Sequence, residues 1–122
     1  MTPAETLAAA AEKLRVIAED ATVGPWKHRE SDSKRLGHHR IVYSANKNER
    51  GEHEQVTTLY GFGNIDPDAA YIAAMNPVVG LALADALAAA ALQTWGNPPM
   101  PSREPLTPRD HLLAIATEIL NE

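Results

Sequence analysis

DPDAAYIAAMNPVVGLALADAL, residues 66–87, is composed for one long helix except at its centre, where Asn76 and Pro77 stand. Proline disfavours the α conformation in the residue before it. Asn76 is therefore pushed extended, and a helix from Pro67 has to stop near Met75. The Asn76 side chain can then accept from a free N–H of the next turn, and Pro77 at the first helical position gives up a donor that had no partner. The stretch predicts two helices meeting at a rigid elbow, with almost no linker between them.

The same grammar recurs along the chain. Thr2-Pro3-Ala4-Glu5, Asp66-Pro67-Asp68-Ala69 and Thr107-Pro108-Arg109-Asp110 each set a capping side chain directly before proline. Glu5 and Asp110 stand where the acid of a capping box would answer back. A first helix from about 3 to 20 carries the stripe Leu7, Ala10, Ala11, Leu14, Ile17 and Ala18, opposite Glu5, Glu12 and Glu19. A last helix from about 108 to 121 groups Leu112, Leu113, Ile115, Ala116, Ile119 and Leu120.

The helix from Pro77 to about Trp95 is apolar on two sides. Val79, Leu83 and Leu87 line one; Leu81, Ala84, Ala88, Leu92 and Trp95 line the other, with Asp85 and Gln93 as a narrow polar strip. Such a helix wants cover on both sides. The sheet is the expected cover for one, and a helix of the same chain or a second subunit for the other.

Between the helical ends, Arg40–Ser44 and Gln55–Tyr60 are rich in β-branched and aromatic residues. They predict an antiparallel hairpin with a long, charged, mobile loop, SANKNERGEHE. Val23–His28 reads as a turn into a further strand with the Trp26 ring buried. Gly61 and Gly63 flank Phe62 and mark a bend at the sheet exit. The expected fold class is thus α+β: an N-terminal helix, an antiparallel sheet of about three strands, the helix-elbow-helix, and a C-terminal helix. The expected division is one domain over 1–95, a proline-rich connector over 96–107, and the last helix over 108–122.

Bulk properties narrow function by exclusion. The chain of 122 residues, 44% hydrophobic and 22% charged, has the make-up of one ordinary globular domain. It holds no cysteine, hence no thiolate metal site and no thiol nucleophile. MTPAETLAAAAEK has an early glutamate and no basic start, unlike a signal peptide. The most apolar run, residues 78–92, is short for a bilayer and contains Asp85, so it reads as core and no membrane contact is expected.

The net charge of −5 opposes bulk attraction to nucleic acid. It is unevenly spread: between Lys27 and Arg50 seven basic residues face three acidic ones, a charge of +4 that leaves −9 elsewhere.

No HExxH, GxSxG, Walker or Rossmann pattern is present, and a non-enzyme without cofactor is expected. Gly61-Phe62-Gly63 lacks the third glycine of a phosphate loop. Adjacent His38 and His39 point to opposite faces of a strand and cannot share an ion without a bulge. His39 with His53 across the hairpin is a conceivable metal pair, set against plain solvated histidines. Asp66 and Asp68 are explained by a helix N-terminus.

The basic island has two readings. One is an anion site on a single strand surface, built from Lys27, His28, Arg29, His39 and Arg40 with Trp26, Tyr43 and Tyr60 to stack on a base. The other is a solvated sheet face whose charge opposes edge-to-edge aggregation, and composition alone leans to it.

ATVGPW (21–26) and the 66–87 stretch together resemble the Ead-like family of phage accessory proteins. Ala21, Thr22, Gly24, Pro25 and Trp26 match that family's TPGPW-like turn, with Val23 where proline is usual. Asp68-Ala69, Ile72-Ala73-Ala74 and Asn76-Pro77 match its DA-x-x-IAA-x-NP block. The resemblance covers about residues 5–90, and the tail from Gly96 has no counterpart.

It implies an accessory phage or prophage protein in the host bacterial cytoplasm, with no enzymatic activity attached and no catalytic residue to carry over. The expected role is a homo-oligomeric binding protein that occupies a host or defence component through the His38–Glu54 region. The alternatives are a sponge for a nucleotide-like anionic signal on the basic sheet and a regulator touching DNA, the latter opposed by the acidic remainder.

Overall fold

The computed structural model describes residues 1–34, 37–61, 64–93 and 107–121. The element order is α1 (Pro3–Asp20), β1 (Trp26–Ser33), β2 (Gly37–Lys47), β3 (His53–Tyr60), α2 (Ile65–Ala74), α3 (Pro77–Ala91) and α4 (Pro108–Leu120). The architecture is α+β, with four helices and one three-stranded antiparallel sheet in the order β1-β2-β3 among the described residues.

The chain divides into two compact units, residues 1–17 with 81–122, and residues 18–80. The expected span 1–95 is shared between them. The connector over 96–107 lies outside the described residues except for Thr107, and so does the expected end of α3 at Trp95.

Three of the four proline-led starts form as the sequence predicts. At α1, the Glu5 N–H donates to Thr2 Oγ1 at 3.1 Å and the Thr2 N–H donates to Glu5 Oε1 at 3.2 Å. At α4, the Asp110 N–H donates to Thr107 Oγ1 at 3.3 Å and the Thr107 N–H to Asp110 Oδ2 at 2.9 Å. At the elbow, the buried Asn76 side chain accepts from the Val78 N–H at 2.9 Å and donates to the Ala73 carbonyl at 3.0 Å. It closes one helix and opens the next.

The fourth start departs from expectation. Helix α2 begins at Ile65, one residue before Asp66, and Asn64 at its cap makes no side-chain hydrogen bond. Asp66 is drawn away by the Arg40 guanidinium, whose Nε donates to its Oδ1 at 2.7 Å. A charged, near-ideal hydrogen bond outcompetes a backbone N–H.

In the unit of residues 18–80, α2 covers one face of the sheet. Val42, Ala69 and Ala73 are buried there, with Trp26, Val56, Leu59 and Ile72 packed around them. The alanines let the helix approach β2 closely, and full burial of Val42 contributes roughly 1.5–3 kcal/mol. Trp26 is half-buried and donates Nε1–H to the Thr22 carbonyl at 2.9 Å.

Gly24 presses on the elbow: a Cβ there would lie 2.9 Å from Asn76 Oδ1, 3.2 Å from Val78 Cγ2 and 3.3 Å from Pro77 Cδ. The two motifs separated by some fifty residues of sequence are thus one contact. The Gly24–Pro25 peptide is cis.

The expected long loop SANKNERGEHE is mostly strand. β2 runs to Lys47 and β3 starts at His53, leaving only residues 48–52 as a turn. Asn48 closes it: its Oδ1 accepts from the N–H groups of Arg50 and Glu52, its own N–H donates to the Glu52 carbonyl, and Gly51 takes φ +76°. Register shifts between Val42, Tyr43 and Lys47 let the two strands stay paired to that turn. The bend expected at the sheet exit begins at Gly61, with φ +97°; Phe62 and Gly63 lie outside the described residues.

In the unit of residues 1–17 and 81–122, Leu7, Ala10 and Ala11 of α1, Leu87 and Ala90 of α3 and Ala116 of α4 are buried together. Leu14, Leu83, Leu112, Leu113, Ile119 and Leu120 pack around them. Lys13 Nζ donates to the Ile119 carbonyl at 2.7 Å, filling one of the acceptors that a helix end leaves open. Arg15 pairs with Asp85 at 3.2 Å.

Two expectations on these helices are corrected. Both predicted sides of α3 hold a fully buried residue, Leu87 on one and Ala84 on the other, but the strip around Asp85 and Gln93 is not narrow: Val78 (52%), Ala82, Ala86 and Ala89 are exposed beside it, as is Leu92 (88%). Ile17 and Ile115, assigned to the buried stripes of α1 and α4, are exposed.

Candidate binding face

Alternation along each strand and the pairing register decide which side chains share a surface. β1 pairs with β2 from Trp26↔Ser44 to Ser33↔Gly37, and β2 with β3 from His39↔Tyr60 to Lys47↔His53. Trp26, His28 and Arg40 fall on the side of Val42, under α2. Lys27, Arg29, His39, Tyr43 and Tyr60 fall on the other. The eight residues expected on one strand surface are therefore split between two. The cause is the period of two, which sends Lys27 and His28 in opposite directions.

On the side away from α2, the His39 and Tyr60 rings lie 5.5 Å apart, and the Tyr43 and His53 rings meet edge-on at 5.6 Å. His39 is 5% exposed and its Nδ1 is 3.0 Å from the Gly37 carbonyl. His53 Nδ1 is 2.9 Å from the Ser44 carbonyl. The two histidines sit at opposite ends of the β2–β3 ladder, each on its own carbonyl, so the His39–His53 metal pair is not assembled.

Arg29, Ile41, Tyr43, His53 and Gln55 line a shallow depression of about 320 Å³. One guanidinium, two rings and an amide around an aliphatic floor can pair with an anion and stack on a flat group. Gln55 was not singled out in the sequence, and His53 was considered only as a metal partner for His39. Their place opposite Tyr43 depends on the register shift after Val42, which no local pattern announces.

Under α2 the charge is different. Arg40 is tied to Asp66, and the hydrogen bond from that guanidinium holds the Asp66 carboxyl below the usual carboxylate range. His38 stands among Glu30, Asp32 and Asp66, so this end of the basic island is locally acidic. His28 Nδ1 is buried without a hydrogen-bond partner.

No single helix among the described residues is long and apolar enough to cross a membrane; α2 and α3 reach that length and composition only as a broken pair. No family model, curated protein or solved structure matches the chain.

Proposed function

We propose that the chain is a non-catalytic accessory binding protein of phage or prophage origin, acting in the host cytoplasm on a host or defence component. The contact surface is the sheet face away from α2, together with the adjoining turn at residues 48–52. The observation that carries this is that face itself: Lys27, Arg29, Tyr43, His53 and Tyr60 gathered on a sheet surface that α2 does not cover.

The phage assignment and the absence of catalysis rest on the resemblance of ATVGPW and the 66–87 stretch to Ead-like proteins. Homo-oligomerisation is supported by the exposed apolar side of α3.

Affinity capture from infected cells tests the surface, with the wild-type chain and Arg29→Glu/Tyr43→Ala as paired baits. The expected result is a partner recovered with the wild type and lost with the variant. Equal recovery refutes the assignment of this face.

A second reading is favoured by the depression at Arg29, Tyr43 and His53: capture of a nucleotide-like anion. Its expected signature is a rise in melting temperature with cyclic or linear nucleotides, by mass action. The absence of a shift at hundreds of micromolar ligand refutes it. A regulator touching DNA is disfavoured by the net charge of −5.

A further inference from the structure

Near the β1–β2 turn, on the side of the sheet away from the proposed binding face, three chemically suited side chains converge. Asp32 and His38 are direct cross-strand partners, and Glu30 is two residues from Asp32 on the same side. His38 Nδ1 lies 3.2 Å from Glu30 Oε1 and 3.3 Å from Asp32 Oδ1, and the three ligand atoms are all within 4.8 Å of one another.

The Asp32 contact is within hydrogen-bond range, but one hydrogen bond does not account for both carboxylates. A ring nitrogen carries one proton, yet two carboxylates approach the same Nδ1. Both separations are also longer than the 2.7–2.9 Å or so of a charged N–H···O bond. They also agree with the edge of a tetrahedral coordination shell, where bonds of about 2.0–2.1 Å set neighbouring ligand atoms about 3.3 Å apart.

A third carboxylate lies on the other side of the imidazole, beyond direct hydrogen-bond length. His38 Nε2 faces Asp66 Oδ1 at 3.7 Å, and Asp66 is itself fixed by Arg40 at 2.7 Å. A carboxylate behind a histidine is the usual second contact of a metal-bound imidazole, where it sets the ring's orientation and basicity.

We infer that Glu30, Asp32 and His38 bind one divalent transition-metal ion of the zinc class, with Asp66 as the positioning residue behind His38. One nitrogen and two carboxylate oxygens suit Zn²⁺, Co²⁺ or Ni²⁺ better than Mg²⁺ or Ca²⁺, which prefer all-oxygen shells. The three ligands are exposed, and a fourth position is left to solvent. The ion would tie the β1–β2 hairpin to the first turn of α2.

The test is a titration of the full chain, free of any histidine tag, with ZnCl₂ by calorimetry and with CoCl₂ by visible absorption. One equivalent per chain is expected. Glu30→Gln/Asp32→Asn and His38→Gln should each weaken binding at least tenfold, and Asp66→Asn by about tenfold. His111→Gln, on α4, should bind as the wild type does.

Because a ligand variant could fail to fold, histidine ¹⁵N chemical shifts of the wild type are followed during the zinc titration. The His38 Nδ1 resonance should move first. No saturable binding below about 1 mM, undiminished binding by His38→Gln, or first movement at His39 or His53 overturns the inference and leaves an ionic cluster only. None of these residues belongs to the face proposed for partner binding, so each proposal can fail without the other.

Discussion

Gly24→Ala should destabilise the unit of residues 18–80 by about 2 kcal/mol, although it adds only one methyl group at a position that has no positive φ. The added Cβ would stand 2.9 Å from Asn76 Oδ1, a separation at which something has to move. The Asn76 side chain is not free to yield: Oδ1 caps α3 through Val78 and Nδ2 closes α2 through Ala73.

Displacing that side chain loses a helix cap, about 1 kcal/mol, and leaves a buried amide partly unsatisfied, about 1–3 kcal/mol. If Pro77 and Val78 move instead, overpacking costs a similar 1–3 kcal/mol. The smaller conformational entropy of alanine in the unfolded chain offsets about 0.4–1 kcal/mol of this.

Urea unfolding followed by Trp26 emission, in a Trp95→Phe background, should then show a midpoint lowered by roughly 1 M. Combined with Asn76→Ala, the Gly24→Ala effect should shrink by about 1 kcal/mol in a double-mutant cycle. A midpoint shift under about 0.3 M, or no coupling to Asn76, refutes the contact as described.

Three further outcomes follow from the same coordinates. Asp66 has its folded pKa depressed by Arg40, so its contribution is present above the unfolded carboxylate value near 3.8 and is lost as pH falls through the lower folded value. Asp66→Asn should accordingly flatten the stability profile at the acid end below about pH 4, and an unchanged profile in acid urea titrations counts against the pair. Thr107→Ala removes the reciprocal cap of α4 and should cost about 1 kcal/mol, read as a lower melting midpoint by circular dichroism; no change refutes the cap. Light scattering at micromolar concentration should show an oligomer that Leu92→Glu dissociates, and a wild-type monomer refutes the assembly proposal.

Much of the helical skeleton was legible because its signals are short-range. Thr2 with Glu5, Thr107 with Asp110 and Asn76 with Val78 each involve atoms within three residues of one another. Proline sterics act on the very next residue, so the break after Met75 needs no knowledge of the rest of the chain. The stretch at residues 44–54 was misread for a related reason. Its polar composition resembles a long loop, whereas pairing across to β3 and the Asn48 side chain hold most of it in register.

The candidate site was legible only as a list of residue types. Composition put Trp26, Lys27, His28, Arg29, His39, Arg40, Tyr43 and Tyr60 in one basic segment. It did not show that Arg40 would be claimed by Asp66, or that Glu30, Asp32 and Asp66 would surround His38.

By itself the amino-acid sequence determined where α1, α3 and α4 begin and where the chain breaks at Asn76, since capping and proline sterics are settled within a turn of backbone. Tertiary structure alone decided which surface each strand residue faces, that Gly24 meets Asn76, and that Asp66 abandons its cap. Those outcomes depend on strand register and on competition between groups tens of residues apart, where the stronger partner wins only once folding has brought it near.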